Sequence, residues 1–320
     1  MRATPPGSAW DRAETVHGRC RGSLLGLAVG DALGAPAEFL TADQVAQRWG
    51  VLAEMVGGGC HDCAPGEVTD DTEMMLCLAE SMASLGRFDA EDVMSRYVAW
   101  FDSDPNDVGI TVRTVMLGVK SGTRWDAAAR RAHEVLGRMT AGNGSLMRTA
   151  PVALRFVNEP QRRVAVALAE SALTHFDQLA GWACVALGEL IAAAIAGELR
   201  ERLPAIAAAL RDDEPRVAAV LATATQSARE EVAASGYVLD TLRASLWAVF
   251  GSSSFEDALI RAVNLGDDAD TVGAVAGALA GALYGETAIP DRWTRVLSVR
   301  ERVLLAADRL AGLALATPSA

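Results

Sequence analysis

Residues 266–285 read GDDADTVGAVAGALAGALYG, a knot of aspartates running straight into a small-residue helix. Gly273, Gly277 and Gly281 recur every four positions, and Gly285 closes the series. That spacing lines up one face of a helix, and with no side chains on it another backbone can come very close. The run RCRGSLLGLAVGDAL at 19–33 offers a matching face through Gly22, Gly26 and Gly30. The two are expected to pair. Glycines four apart also mark many transmembrane interfaces. Here the apolar stretch is only about fourteen residues and begins from aspartates, which suits a core helix better than a bilayer span.

Outward from this pair the chain reads as mostly helical. Half of its 320 residues are hydrophobic, ample for a sizeable core, and only 5% are aromatic. The loop GGGCHDCAPGEV at 57–68 is too rich in glycine to be a helix, and it feeds TEMMLCLAESMASLG at 72–86. There Met75, Leu78, Ala79 and Met82 form one stripe and Gly86 is a stop signal. Helical patterns follow at 89–101, 109–120 and 125–139, then a break at AGNGSLMRTAP, then about seven more segments between 161 and 312. These divide near Gly197, Asp212–Pro215, Gly236, Gly251 and Gly266. No linker interrupts them. The expected organisation is a flexible tail over residues 1–14 and one all-α domain over 15–320.

The formal charge of −12 argues against nonspecific nucleic-acid binding, which needs lysines and arginines against phosphates. Five thinly spread cysteines fit a reducing compartment, and no secretory leader or membrane-length apolar run is evident. A cytoplasmic protein with no membrane partner is expected.

Chemistry concentrates in two acidic clusters almost two hundred positions apart, Thr69-Asp70-Asp71-Thr72 and Asp267-Asp268-Ala269-Asp270-Thr271. A single capping acid suffices for a helix start. Two or three acids flanked by threonines exceed that need, and like charges crowded together call for cations between them. All-oxygen donors favour Mg²⁺, Mn²⁺ or Fe²⁺ over zinc. Cys60 and Cys63 have zinc-ligand spacing, but no second pair completes four ligands, so they read as an incidental pair in a surface loop. The chain has no nucleophile elbow around Ser145 and no phosphate-loop lysine after the glycines at 57–59.

Taken together, GSLLGLAVGDALGAPAEF at 22–39, PGEVTDDTEM at 65–74, GNGSLMRTAPVAL at 142–154, LTHFDQ at 173–178 and GDDADTVGAVAGALAGALYG at 266–285 resemble, in order, the ADP-ribosylglycohydrolase family. The resemblance implies a compact single-domain orthogonal helical bundle with a binuclear metal cleft that takes ADP-ribose. It implies a metal-dependent hydrolase cleaving the bond between C1″ and a modified target. Arginine-linked ADP-ribose on a protein is the first expectation. Serine-linked, nucleic-acid-linked and small-molecule ADP-ribose are the alternatives, together with a non-catalytic relative. Two divalent ions are implied, Mg²⁺ first, then Mn²⁺ or Fe²⁺. By motif, Thr69, Asp70, Asp71, Asp268, Asp270 and Thr271 are the expected metal ligands, with Glu38 and Asp268 as acid/base groups. Gly57, Gly58, Gly59, Asn143, Gly144, Ser145, His175 and Asp107 are expected along the substrate. Asp267 stands where the family more often has a second glycine, and Ala269 where it often has threonine.

Overall fold

The computed structural model describes residues 9–316, with side chains from Thr15 onward. Sixteen α-helices make up this part of the chain, with no β-strand among the described residues. The first is α1 (Ala9–Gly34), followed by α2 (Ala42–Trp49), α3 (Asp70–Leu85), α4 (Ala90–Asp102), α5 (Ile110–Lys120) and α6 (Trp125–Val135). After the break come α7 (Ala150–Arg155), α8 (Pro160–Ser171), α9 (Gln178–Ala196), α10 (Leu199–Ala209) and α11 (Pro215–Thr223). The C-terminal group is α12 (Val238–Phe250), α13 (Phe255–Val263), α14 (Ala269–Tyr284), α15 (Asp291–Thr294) and α16 (Arg300–Ala316).

The expected pairing is the centre of the fold. Helices α1 and α14 lie antiparallel and in register through their glycines. A Cβ built on Gly30 would sit 1.9 Å from the Gly273 carbonyl oxygen, on Gly26 2.3 Å from that of Gly277, and on Gly22 2.3 Å from that of Gly281. No atom fits there, so the glycines set how closely the two helices approach. Antiparallel register brings the C-terminal end of α1, which carries Asp31 and is followed by Glu38, against the acidic N-terminus of α14. The seam aims one cluster of acids at the other.

Around this pair the helices are packed on more than one side. Met75, Leu78, Ala79 and Met82 of α3 are buried as expected, but so are Met74 and Leu76 on its other faces. Gly86 ends α3 in the left-handed conformation with φ 68°. Helix α9 is long and apolar enough to cross a membrane by length and composition, but 83% of that stretch is buried inside the fold. Its apolarity serves the core.

Three details differ from the sequence expectation. Helix α1 starts at Ala9, so residues 9–14, expected in the tail, are helical, while 1–8 lie outside the described residues. Helix α6 ends at Val135, because Gly137 and Arg138 both take φ of 64°. The region from 160 to 316 holds nine helices rather than about seven, split additionally at the His175–Asp177 turn and by the short α15.

Candidate metal centre and cleft

Helix α3 has four N-terminal NH groups to satisfy, and its own acids do not do it. Asp31, fully buried on α1, reaches across instead. It accepts from the Thr69 amide at 3.0 Å, the Thr69 hydroxyl at 3.0 Å, the Thr72 amide at 3.1 Å and the Thr72 hydroxyl. With the helix end capped from outside, Asp70 and Asp71 are not spent on capping their own helix. Burial pushes the Asp31 carboxyl up to about 6, against the hydrogen bonds from Thr72 and Thr69 that pull it down.

The second cluster is held by backbone. The Phe39 amide donates to the Asp267 carbonyl at 2.7 Å, and the Asp267 amide donates to the Leu40 carbonyl at 2.6 Å. This clamp ties Glu38 to Asp268. Phe39 and Asp267 both occupy left-handed backbone, at φ 61° and 52°. The positive φ at 267 explains why glycine is at home there, and aspartate is among the few other residues that tolerate it. Asp267 is exposed, on the cleft's rim.

The clusters meet. The Thr271 hydroxyl donates to Asp71 Oδ2 at 3.3 Å, joining residues 200 positions apart, and the Thr69 hydroxyl donates to the same oxygen at 3.3 Å. Asp71 Oδ1 is buried with no hydrogen-bond partner. Carboxylate oxygens of Glu38, Asp107 and Asp270 all lie within 4.8 Å of one another. Burial, then repulsion from neighbouring acids, holds the carboxyls of Asp71 and Asp270 well above the usual range. Asp70 is raised by burial and by Asp107, and Asp268 by burial, against a 2.5 Å hydrogen bond from Asn143 Nδ2. A buried cluster of like charges with an orphaned oxygen is what hard divalent cations relieve, and the donors are all oxygen. The residues fit such ions.

Glu38, Asp70, Asp107, Asn143, Gly144, His175, Asp268, Asp270 and Thr271 line one cleft of about 780 Å³. Its other wall is apolar, with Val112, Met147 and the exposed Phe39 and Ile110. Asp71 and Thr69 stand behind this surface, holding its floor. Burial, then the facing Asp107 and against His61, pushes the Glu38 carboxyl up to about 7. His175 is buried beneath Gly142 and Gly144. A Cβ on Gly144 would come 2.8 Å from its ring, so the glycine makes room for the imidazole. Burial, then Arg148, lowers His175 to about 3, which keeps it neutral.

Two expectations are corrected. Ser145 is fully buried, bonded to Ser171 at 2.8 Å and accepting from Cys184 at 3.4 Å, and faces the core rather than the cleft. Gly57, Gly58 and Gly59 do not line the cleft. They turn the loop tightly under Ala35, where a Cβ on Gly59 would meet the Ala35 carbonyl at 2.6 Å, and so carry Cys60 and His61 against Glu38. Cys63 is buried, and Cys60 lies instead with His61 and Glu38. Besides Asp31, sequence reasoning missed Arg148. It is wholly buried, bonds Glu170 at 2.6 Å and the Gly144 carbonyl at 2.9 Å, and bonds Thr174, whose hydroxyl touches His175 Nδ1 at 2.8 Å. A lone arginine amid small and apolar residues in GNGSLMRTAP was the available signal.

Residues 12–319 match the model of the ADP-ribosylglycohydrolase family. The chain is 37% identical over 303 residues to an ADP-ribosylarginine hydrolase of Serratia proteamaculans, covering 91% of this chain and 78% of that protein. It is 37% identical over 297 residues to the ADP-ribosyl-dinitrogen reductase glycohydrolase of Rhodospirillum rubrum, covering 89% and 92%. A solved ADP-ribosylglycohydrolase-related protein complex superposes with a TM-score of 0.81 at 38% identity, over 94% of this chain and 99% of that one. The chain belongs to the ADP-ribosylglycohydrolase family.

Proposed function

We propose that this family member hydrolyses the bond between C1″ of the distal ribose and an arginine side chain of an ADP-ribosylated protein, with two divalent cations, Mg²⁺ first, in the cleft. The observation that carries this reading is the meeting of two distant acid clusters, buried and electrostatically unrelieved, at the floor of one cleft. The names of the Serratia and Rhodospirillum relatives support the arginine linkage. A volume of about 780 Å³ is of the size that small-molecule and cofactor sites occupy.

Asp70, Asp71, Asp268, Asp270 and Thr271 would hold the cations, with Thr69 steadying Asp71 and with Glu38 and Asp107 alongside. When bound, such ions align ribose hydroxyls and lower the pKa of water. The chain's own residues do the rest. Glu38, with a proton affinity near neutrality, takes and returns the proton that moves as oxocarbenium character develops and collapses at C1″. Asp268, fixed by the Asn143 amide, is the second acid/base group. Backbone at Asn143 and Gly144 forms one wall, with neutral His175 beneath it to hydrogen-bond an uncharged group. Phe39, Ile110 and Met147 supply the apolar side.

The test is release of ADP-ribose from arginine-, serine- and DNA-linked substrates with Mg²⁺ or Mn²⁺. Turnover is expected on the arginine linkage and lost in Asp70→Ala and Asp268→Ala with helical circular dichroism retained. Undiminished turnover in either variant contradicts the reading, and preference for serine- or DNA-linked substrate replaces the target.

A further inference from the structure

The 57–68 loop brings a thiol, an imidazole and a carboxylate to one point beside the cleft. Cys60 Sγ is 3.4 Å from Glu38 Oε2, and His61 Nε2 is 2.8 Å from the same oxygen. The three ligand atoms lie within 4.8 Å of each other. His61 Nε2 is buried, yet its contact with Glu38 is not aligned as a hydrogen bond, and its only other charged neighbour among the described residues is Asp107 Oδ1 at 3.8 Å. Glu38 itself is 6% exposed, so its carboxylate and the buried His61 ring nitrogen meet in a nearly dry corner, with the Cys60 thiol at its outer edge. Cys60 remains accessible from outside.

We infer that Glu38, Cys60 and His61 form a second metal site, which shares Glu38 with the oxygen-lined cleft, for a borderline-soft divalent ion of the Zn²⁺ type. The donor set selects that class, since thiolate and imidazole favour zinc over magnesium or manganese. Zinc–ligand bonds of about 2.0–2.3 Å in a tetrahedron put donor atoms about 3.3–3.6 Å apart. The Cys60–Glu38 distance already matches, and the His61–Glu38 pair must open by roughly half an ångström. Three protein donors leave a fourth position for water. Binding releases the Cys60 proton to solvent as the sulfur–metal bond forms. Partial burial first, then the neighbouring Glu38 carboxylate, disfavours a free thiolate, so the proton leaves as the cation arrives. Glu38 then serves the zinc instead of the cleft. Zinc at this site is therefore an inhibitor of hydrolysis, a consequence that rests on the role given to Glu38 above.

Cobalt(II) alone is the probe, because a cobalt–thiolate bond gives a near-ultraviolet charge-transfer band that oxygen ligands do not. The band is expected in the wild-type chain and in Cys63→Ser, and absent in Cys60→Ser. Inhibition by zinc, scored against each variant's own zinc-free rate in Mg²⁺, is expected to weaken at least tenfold in Cys60→Ser. A wild type without the band, a band that survives Cys60→Ser, or equal zinc inhibition in both proteins overturns the site. Should the chain prove inactive on every ADP-ribosyl substrate, the proposed function fails while the cobalt spectrum still decides the metal site.

Discussion

Helices α1 and α14 carry two regions of opposite character end to end. Along the seam, glycine faces glycine with neutral backbone in van der Waals contact, and nothing from outside is needed. At its open end, buried carboxylates face carboxylates, their proton affinities raised and one oxygen without a partner. The seam is complete in the polypeptide, whereas the cleft leaves crowded carboxylates that its own residues do not neutralise. A fold this closely fixed along the seam can hold like charges together that would otherwise move apart, at a cost in stability that the proposed cations would relieve.

The seam should be the less forgiving region. Gly30→Leu places atoms where the Gly273 carbonyl stands, so loss of the folded state is expected, costing several kcal/mol, about 3 or more. Gly312→Ala in α16, with nothing within 4 Å of the added methyl, is the matched control and should be neutral or stabilising by up to about 1 kcal/mol in denaturant melts.

In the cleft the effects on activity and stability should part. Asp71→Asn is expected to abolish turnover while raising the melting temperature of the metal-stripped protein, because it removes one of the crowded charges. The sign follows from linkage. An acid whose folded proton affinity is raised favours folding while protonated, so its penalty is absent below the ordinary value of 3.8 and grows as pH rises through the folded value. Melting of the stripped wild type should therefore fall above about pH 4 more than that of Asp71→Asn. Parallel curves would contradict the crowding.

Glu38→Gln should keep ADP-ribose binding and slow hydrolysis, read as a fall in kcat with little change in KM. Equal losses of both would make Glu38 a structural ligand. The smallest effect is expected at His175. Its lowered value means the unfolded chain takes up a proton below about pH 6.5 that the fold refuses, so stability is lost as pH falls from there toward 3. In His175→Asn that part of the acid slope, at most about 1.4 kcal/mol per pH unit, should vanish.

Much of this contrast is legible in the sequence. The glycine spacing at 22–30 and 273–281 dictates its own pairing, because a bare helix face has few other partners. The acid clusters stand out because they exceed what capping requires. Long-range geometry is not legible in the same way. Asp31 looks like any polar residue leaving a helix until the fold brings Thr69 and Thr72 to it. Cys60 pairs by spacing with Cys63, but the glycine turn points Cys63 inward and Cys60 toward Glu38. The loop glycines and Ser145 fit the motif of a binding loop, while packing assigns them to support. The left-handed backbone at Asp267 makes sense of that position only once the clamp to Leu40 is seen.

The most direct test of the cleft is an anomalous-scattering map from crystals soaked in Mn²⁺. Two manganese peaks are expected between the 70–71 and 268–271 clusters, with Asp71 Oδ1 no longer without a partner. A map with the clusters in place and no manganese between them would contradict the cation-completed cleft.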